Sequence, residues 1–329
     1  MKTRKLGQAG PDISVVGYGA LGGWGGSISE NDVVNAVRAG ITSGINWVDT
    51  AEVYRDGQSE EVVGRALEGF EDVLVFTKVA PRPSGTGLHA EGVRAAAEAS
   101  LRRLDREVID LFQVHFPDPE VSIEETWEAM ASLVDDGLVR FIGVSNFGED
   151  LIALCESIRH VDSLQPQLSL FHRPTREHLI PFCQAHDTGV ICFGPLAFGL
   201  LTGDIDAETV FAADDWRPSL FAELFGPEEL PANLALVAAL RGFADGRGIP
   251  LPQIAIAWVI AQRGVTGAIV GARSVEHVRQ SAGAGDVEVT ADDLHDIEAI
   301  LAEQAATTAH FAPSTGTSRG SSSPSPPTT

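Results

Sequence analysis

Apolar and polar positions alternate along the chain in two different patterns. Short apolar runs rich in β-branched residues predict buried strands. They lie at 14–19, 45–49, 73–77, 108–114, 139–144, 163–168, 190–193 and 267–270. Amphipathic stretches between these runs predict helices. They lie at 31–43, 59–69, 89–104, 123–136, 149–159, 175–186 and 232–263, with one more after residue 273.

The regular alternation of strand and helix predicts an α/β fold. A repeat of about 30 to 40 residues is the length of a strand–helix–strand unit, which favours a parallel sheet. Eight apolar runs, each followed by a helix, match a (β/α)8 TIM barrel formed as a single domain by residues 1–304. A doubly wound sheet with fewer strands is the structural alternative.

Capping residues and composition mark where the segments begin and end. Ser29, Ser59 and Ser122 each precede acidic residues, which predicts that they open the first, second and fourth helices. Residues 198–231 lack clear periodicity and predict a long loop over one barrel face. Residues 305–329 are rich in Ser, Thr, Gly and Pro and cannot bury enough apolar area to fold, so they predict a disordered tail.

Composition excludes several classes of protein. Hydrophobic residues make up 44% of the 329 residues and charged residues 21%, which is typical of a globular protein. No apolar run approaches the roughly 20 residues that cross a bilayer, and no signal-peptide core follows the basic N-terminus, so we expect a cytoplasmic protein. Three cysteines, Cys155, Cys183 and Cys192, without paired spacing predict reduced thiols.

The net charge narrows the range of partners. A formal charge of −23 repels phosphate backbones and anionic membranes, which argues against nucleic-acid or membrane binding. The same field makes anionic substrates less attractive than neutral ones. Lys78 is the only lysine after residue 5, and it lies in an apolar stretch. It is therefore a candidate for a specific role.

Polar residues follow three successive predicted strands. Asp49, Lys78 and His115 end the second, third and fourth strands, and Tyr54 lies just beyond the first of these residues. Taken singly, the aspartate can cap a loop, the lysine can extend into solvent, and the histidine can be a hydrogen-bonded core residue. Because the carboxyl ends of barrel strands meet at one face, their joint occurrence favours a catalytic site.

These four side chains suit the delivery of a proton. A buried Lys78 ammonium requires a counter-charge, which Asp49 supplies. We expect the ammonium to lower the pKa of the Tyr54 phenol from about 10, and His115 to orient a carbonyl by a hydrogen bond. Neither a strong nucleophile nor the spacing of a metal-dependent barrel hydrolase is present. A cofactor is therefore needed to supply the reducing equivalent.

The motifs around these residues resemble those of the aldo-keto reductases, a family of NADPH-using (β/α)8 barrels. Residues 46–54 read Asn-Trp-Val-Asp-Thr-Ala-Glu-Val-Tyr, residues 59–64 read Ser-Glu-Glu-Val-Val-Gly, and residues 143–147 read Gly-Val-Ser-Asn-Phe. The similarity runs from about residue 6 to residue 304. It implies a catalytic tetrad of Asp49, Tyr54, Lys78 and His115 and the reduction of aldehydes or ketones with NADPH.

The resemblance also implies a set of cofactor contacts. Ser145, Asn146 and Gln165 would hold the carboxamide, and Phe193 would stack on the nicotinamide ring. Arg273 is the best candidate to bind the 2′-phosphate, and the alternative is a solvated arginine at a helix start. His277 and Ser281 lie where the family recognises adenine. The remaining implied contacts are Gly19, Ala20, Leu21, Asp49, Gly194, Pro195, Leu196, Gly199, Leu200, Thr202, Gly203 and Gly271. Asp204 stands where the family often has a lysine.

The substrate is expected to be a small carbonyl compound bound beside the tetrad. Its pocket would be lined by Trp24, Tyr54, His115 and Phe116, with Leu21 and Trp47 at an apolar mouth. Trp24 can equally be a packing residue of the barrel. No metal site is expected, and the oligomeric state stays open. The alternative is a channel-associated regulatory subunit of the same fold, which binds the cofactor with little turnover.

Overall fold

The computed structural model describes residues 1–21, 29–212, 215–272 and 274–311. Its strands are β1 Thr3–Lys5, β2 Asp12–Ser14, β3 Val16–Gly19, β4 Trp47–Asp49, β5 Leu74–Val79, β6 Ile109–Val114, β7 Val139–Ser145, β8 Ser163–Gln165, β9 Gly189–Cys192 and β10 Gly267–Val270. Its helices are α1 Glu30–Thr42, α2 Gln58–Ala66, α3 Ala90–Leu104, α4 Ile123–Asp135, α5 Glu149–Glu156, α6 Leu179–Ala185, α7 Arg217–Leu220, α8 Ala222–Phe225, α9 Leu230–Gly246, α10 Leu251–Ala261, α11 Val275–Gly283 and α12 Ala291–Phe311.

Strands β3 to β10 form a closed parallel barrel, and each strand pairs with its neighbours in chain order. The predicted (β/α)8 barrel is therefore confirmed, and the doubly wound alternative is wrong. The antiparallel hairpin of β1 and β2 was not predicted, because two strands of three residues carry little pattern. The Arg4 guanidinium donates to the carbonyls of Ile260 and Val265 at 2.8 and 2.6 Å and joins the hairpin to the end of α10.

The barrel interior is apolar at the end where its strands begin. Its buried cluster consists of Leu6, Ile13, Trp47, Phe76, Leu111, Ile191 and Ile269. The indole N–H of Trp47 donates to the Ser14 carbonyl at 2.8 Å, and a Cβ on Gly17 would lie 2.2 Å from the indole ring. The expectation that Trp47 lies at the pocket mouth is wrong, because this fully buried side chain fills the core of the barrel.

Two of the three predicted helix starts have the expected caps. The Ser29 hydroxyl accepts from the Asp32 N–H in a capping box, and the Ser122 hydroxyl accepts from the Glu125 N–H. Helix α2 differs, because it begins at Gln58 and places Ser59 inside its first turn. The Ser59 hydroxyl instead donates to the Ala20 carbonyl at 3.0 Å and lies 2.9 Å from the Thr50 hydroxyl.

The second half of the chain has more breaks than its pattern predicts. The single helix expected at 232–263 is two helices, because Gly248 has a φ of +64° and Pro250 cannot donate a helical hydrogen bond. The expected loop at 198–231 contains α7 and α8. Helix α12 ends at Phe311, so the predicted start of the tail at residue 305 is too early. Residues 312–329 lie outside the described residues, and for them the predicted tail stays a prediction. No helix among the described residues is long and apolar enough to cross a membrane.

Candidate active site

The polar side chains of the barrel interior lie at the carboxyl ends of its strands. Asp49 is the last residue of β4, Lys78 is the penultimate residue of β5, and His115 directly follows β6. Parallel pairing places Lys78 beside Gln113 of β6. Because side chains two residues apart share a face, the apolar layer of Trp47, Phe76 and Leu111 continues into these polar residues.

The ammonium of Lys78 is the centre of the site. It donates to Asp49 Oδ1 at 2.6 Å and to the Thr50 carbonyl at 2.8 Å, and it lies 3.4 Å from the Tyr54 hydroxyl. The lysine side chain is fully buried, and that of Asp49 is only 4% exposed. The structure thus brings a buried ion pair into contact with a phenol.

Burial and the ion pair act in opposite directions on the pKa of Lys78. Loss of solvation would lower this pKa, but attraction to Asp49 and Tyr54, together with hydrogen bonds to both, raises it above its ordinary value. The lysine is therefore a cation at neutral pH, held in place by three oxygen atoms.

The pKa of Tyr54 is also raised, which corrects the expectation of a lowered value. Burial of the phenol is the largest cause, and the positive charge of Lys78 opposes it. Attraction between phenolate and ammonium is thus present but does not compensate for the loss of solvation. The phenol keeps its proton at neutral pH, which is the form that a proton donor requires.

His115 lies against both aromatic neighbours of the site. Its ring centroid is 5.6 Å from that of Tyr54 in an edge arrangement and 4.8 Å from that of Phe116 in a stack. Burial, followed by repulsion from the Lys78 ammonium, lowers the imidazole pKa well below 6.5. The ring is therefore neutral at physiological pH and has one N–H to donate.

Amide and hydroxyl groups from β7 and β8 surround the ion pair. Gln165 Nε2 donates to Asp49 Oδ2 at 2.8 Å, and the Ser145 hydroxyl donates to the backbone carbonyl of Gln165 at 2.9 Å. Asn146 has a φ of +61°, and its Nδ2 donates to the His115 carbonyl at 2.9 Å. Of the three residues expected to hold a carboxamide, Gln165 and Asn146 therefore bond directly to tetrad residues, and Ser145 is linked to the tetrad through these two.

The segment after β9 contains the residues from Phe193 to Gly203 that the resemblance assigns to cofactor binding. Phe193 is half-buried, and it packs on the apolar cluster inside the barrel. Gly194, Gly199 and Gly203 all have positive φ values, of +70°, +104° and +84°. Of the other assigned residues in this segment, Pro195 and Leu200 are buried, and Leu196 and Thr202 are half-buried. Asp204, which stands where the family often has a lysine, is exposed.

The remaining assigned residues lie after β3 and β10. Gly19 and Ala20 are buried and Leu21 is 50% exposed, while Gly271 is exposed. His277 and Ser281 are one turn apart on α11, where the histidine is exposed and the serine is buried. Trp24 and Arg273 lie outside the described residues, so their predicted contacts stay predictions.

A large groove at the opposite end of the barrel is not part of this site. It has a volume of about 750 Å³ and lies where β5, β6 and β7 begin, lined by Arg103, Arg106 and Arg140 among many acidic residues. All three cysteines are buried and free. In the described part of the chain, no group of three or more His, Cys, Asp or Glu residues is placed to hold a metal ion.

Comparison with known proteins agrees with this geometry. The sequence profile of the aldo/keto reductase family matches residues 15–302. The chain belongs to the aldo/keto reductase family. It is 34% identical over 313 residues to the aldo-keto reductase YhdN of Bacillus subtilis, covering 92% of this chain and 94% of the relative.

Two further comparisons place this aldo/keto reductase among its relatives. It superposes on the glycerol dehydrogenase AKR11B4 of Gluconobacter oxydans with a TM-score of 0.82 and 32% identity, covering 92% of this chain and 95% of the other. It is 28% identical to a probable voltage-gated potassium channel subunit beta of Arabidopsis thaliana, covering 87% of this chain and 92% of the relative. The family makes the chain an oxidoreductase.

Three buried polar residues of this reductase were not singled out from the sequence. Gln113 is fully buried between His115 and the apolar layer. Glu52 accepts from the Ala80 and Thr86 amides at 2.9 and 3.0 Å and so anchors the loop after β5. Glu60 is also fully buried. Of these three residues, only Gln113 could have been found from the sequence. It precedes His115 by two residues, and side chains two residues apart on a strand share a face.

Proposed function

We propose that this aldo/keto reductase reduces aldehydes or ketones to alcohols with NADPH and that Tyr54 is the general acid. The observation that carries the proposal is the Lys78 ammonium, which bonds to Asp49 at 2.6 Å and lies 3.4 Å from the Tyr54 hydroxyl. A protonated phenol beside a fixed cation can transfer its proton to a carbonyl oxygen, because the cation stabilises the phenolate that forms.

The residues at the strand ends fit a nicotinamide dinucleotide. Side-chain amides of Asn146 and Gln165 match a carboxamide, and the half-buried ring of Phe193 offers a surface for stacking. The positive-φ glycines after β9 let the backbone approach a ligand closely. When bound there, NADPH supplies the hydride of the reaction. The preference for NADPH over NADH rests on the resemblance at Arg273.

Each member of the tetrad has a separate task. Tyr54 donates its proton to the carbonyl oxygen, Lys78 stabilises the resulting phenolate, and Asp49 holds the ammonium in position. His115 is neutral and donates a hydrogen bond that orients the carbonyl towards the phenol. Phe116 stacks on His115 beside this point, which favours carbonyl compounds with an apolar substituent.

Replacing the phenol tests the assignment of the acid. We expect Tyr54→Phe to reduce kcat for aldehyde reduction by about 10²–10⁴, because the proton donor is lost. The dissociation constant of NADP⁺, measured by fluorescence titration, should stay within about twofold. Turnover is followed by the loss of NADPH absorbance over a panel of carbonyl compounds, with NADH in parallel.

The sequence contains a matched control for this substitution. Tyr18 is the only other tyrosine, and its hydroxyl donates to the Ala272 carbonyl at 3.0 Å, away from the tetrad. Tyr18→Phe removes the same atom and should retain turnover. Full activity of Tyr54→Phe would refute its role as the acid.

The alternative role as a regulatory subunit makes a different prediction for the same assay. Resemblance to probable potassium channel beta subunits is compatible with a barrel that binds NADPH and turns over slowly. In that case the unmodified protein would bind NADP⁺ tightly and consume NADPH negligibly with every carbonyl compound. All four tetrad residues are present and in contact, which supports the enzyme.

A further inference from the structure

The carboxamide of Gln113 is buried in the barrel without full hydrogen bonding. Its side chain is fully buried, and its Nε2 has no partner among the described residues. A buried donor left unpaired destabilises a fold by about 1–3 kcal/mol, so stability alone does not explain an amide here. Its Oε1, in contrast, accepts from Gln165 Nε2 at a distance of 3.4 Å.

Two acceptors determine how the amide of Gln165 is turned. Its Nε2 donates to Asp49 Oδ2 at 2.8 Å as well as to Gln113 Oε1. The carboxylate can only accept, because its other oxygen is bound by the Lys78 ammonium. Only one orientation of the Gln165 amide pairs with both acceptors, and it places Nε2 towards Asp49 and Gln113.

This orientation has a consequence for ligand recognition. Because Nε2 of Gln165 donates to two acceptors, the side-chain oxygen Oε1 of Gln165 is the atom left to bind a ligand. A carbonyl recognises a ligand group that donates a hydrogen bond and disfavours one that only accepts. Within the proposed function, the matching group is the NH₂ of the nicotinamide carboxamide.

We propose that Gln113 is a positioning residue for Gln165. Together with Asp49, Gln113 keeps the side-chain oxygen of Gln165 turned towards the carboxamide NH₂, although Gln113 itself touches neither cofactor nor substrate. The Gln113 nitrogen is unpaired because the Gln113 oxygen faces Gln165. The inference rests on the proposed use of NADPH, and it adds a second layer of amide groups behind the residues that meet the ligand.

The test compares two dinucleotides that differ in one group. NADP⁺ carries the carboxamide NH₂, and its 3-acetylpyridine analogue carries a methyl group in that place. We expect the unmodified protein to bind NADP⁺ about tenfold more tightly, a difference of about 1.4 kcal/mol. In Gln113→Met this ratio should fall at least about threefold, because the Gln165 amide then has one acceptor, Asp49, instead of two to fix its orientation. Gln165→Met should remove most of the preference.

Controls separate positioning from a general loss of structure. Binding of the nicotinamide-free fragment 2′-phospho-ADP-ribose should not change in Gln113→Met. The melting temperature should stay equal or rise, because an unpaired donor has been removed. Gln262→Leu removes an amide at the end of α10, where it donates to the Trp258 carbonyl, and should keep the unmodified ratio. Gln113→Leu is a second replacement if the methionine variant does not fold.

The outcomes distinguish this inference from the proposed function. If Gln113→Met weakens both dinucleotides equally, or leaves the ratio of the unmodified protein, the positioning role is overturned while NADPH binding stands. If the unmodified protein binds neither dinucleotide, the proposed function and the inference built on it both fail.

Discussion

The buried ion pair of Lys78 and Asp49 determines what the neighbouring side chains can do. Burying two charges is unfavourable unless each finds several partners, and here the ammonium has three oxygen partners, while Gln165 donates to the second oxygen of the carboxylate. The same positive charge lowers the pKa of His115 and opposes the rise at Tyr54. Burial and this cation together keep the imidazole neutral, and the cation stabilises a phenolate when it forms.

The directions of these shifts predict how activity depends on pH. The pKa of Tyr54 lies above its ordinary value of 10 and that of His115 well below 6.5, so neither group titrates between about pH 7 and 9. We therefore expect kcat for carbonyl reduction to stay level across this range and down to about pH 6. Oxidation of the alcohol needs the phenolate, so its kcat should rise steadily with pH.

Steady-state rates in both directions, measured in buffers of constant ionic strength, check this prediction. The reverse reaction serves as the control, because it responds to the same phenol with the opposite sign. A loss of reduction activity with a midpoint near 6.5 would mean that the imidazole titrates, which contradicts its burial beside a cation.

Sequence reasoning could locate the tetrad but not its electrostatics. Asp49, Lys78 and His115 were found because strand ends in a parallel barrel converge, a rule that needs no coordinates. The raised pKa of Tyr54 could not be predicted, because it depends on how far the phenol is buried. From the sequence, Glu60 is only one of the acidic residues that follow Ser59; its bonds to the Thr77 hydroxyl and the Arg103 guanidinium, both at 2.6 Å, require the fold.

At the scale of elements, a tight turn connects Tyr54 to α2, and we expect it to position the phenol. Arg55, Asp56 and Gly57 have successive φ values of +53°, +53° and +87°, a tight left-handed turn. A Cβ on Gly57 would lie 2.7 Å from the Arg103 side chain. The same arginine is fixed by Glu60 at 2.6 Å, so the turn packs against an anchored group.

Gly57→Ala should therefore impair both stability and turnover. A residue with a Cβ costs about 1–2 kcal/mol in the left-handed region, and the clash with Arg103 displaces the turn that follows Tyr54. We expect kcat to fall about tenfold or more, since small displacements of a catalytic group have large effects. Thermal unfolding and the reductase assay measure the two effects.

Gly69→Ala is the matched control for this substitution. Gly69 has a φ of +82° with nothing within 4 Å of a Cβ, and it lies in the loop before β5, at the other end of the barrel. It should lose similar stability and keep its kcat. Equal kcat values for the two variants would show that the turn does not position the phenol.

Strands and helices could be predicted where the apolar pattern was long, and the prediction failed where the pattern was short. All eight barrel strands were located, because each is an apolar run between helices. The β1–β2 hairpin has only three residues in each strand, so it carried no usable alternation. The break between α9 and α10 was marked by Gly248 and Pro250, but the apolar periodicity continues across it and outweighed that signal.

For the whole molecule, charge is distributed differently inside and outside the barrel. The interior holds a compensated pair at Lys78 and Asp49, whereas the chain as a whole has 46 acidic and 23 basic residues. Surface pairs such as Arg159–Asp135 contribute at most about 1 kcal/mol each, so most of the excess charge acts as mutual repulsion. Repulsion between exposed carboxylates destabilises the compact state.

Screening that repulsion should stabilise the protein. Raising NaCl from about 0.01 M to 0.1 M shortens the Debye length from about 30 to 10 Å, which weakens repulsion between distant carboxylates more than attraction within close pairs. A gain of about 1 kcal/mol corresponds to a rise in Tm of about 1.5 °C, because the entropy of unfolding of a chain of 329 residues is roughly 0.7 kcal/mol/K. Calorimetry at neutral pH measures this rise, and choline chloride at equal ionic strength should give the same gain, because the effect depends on screening alone. A Tm that falls with added salt would mean that the surface ion pairs outweigh the excess of negative charge.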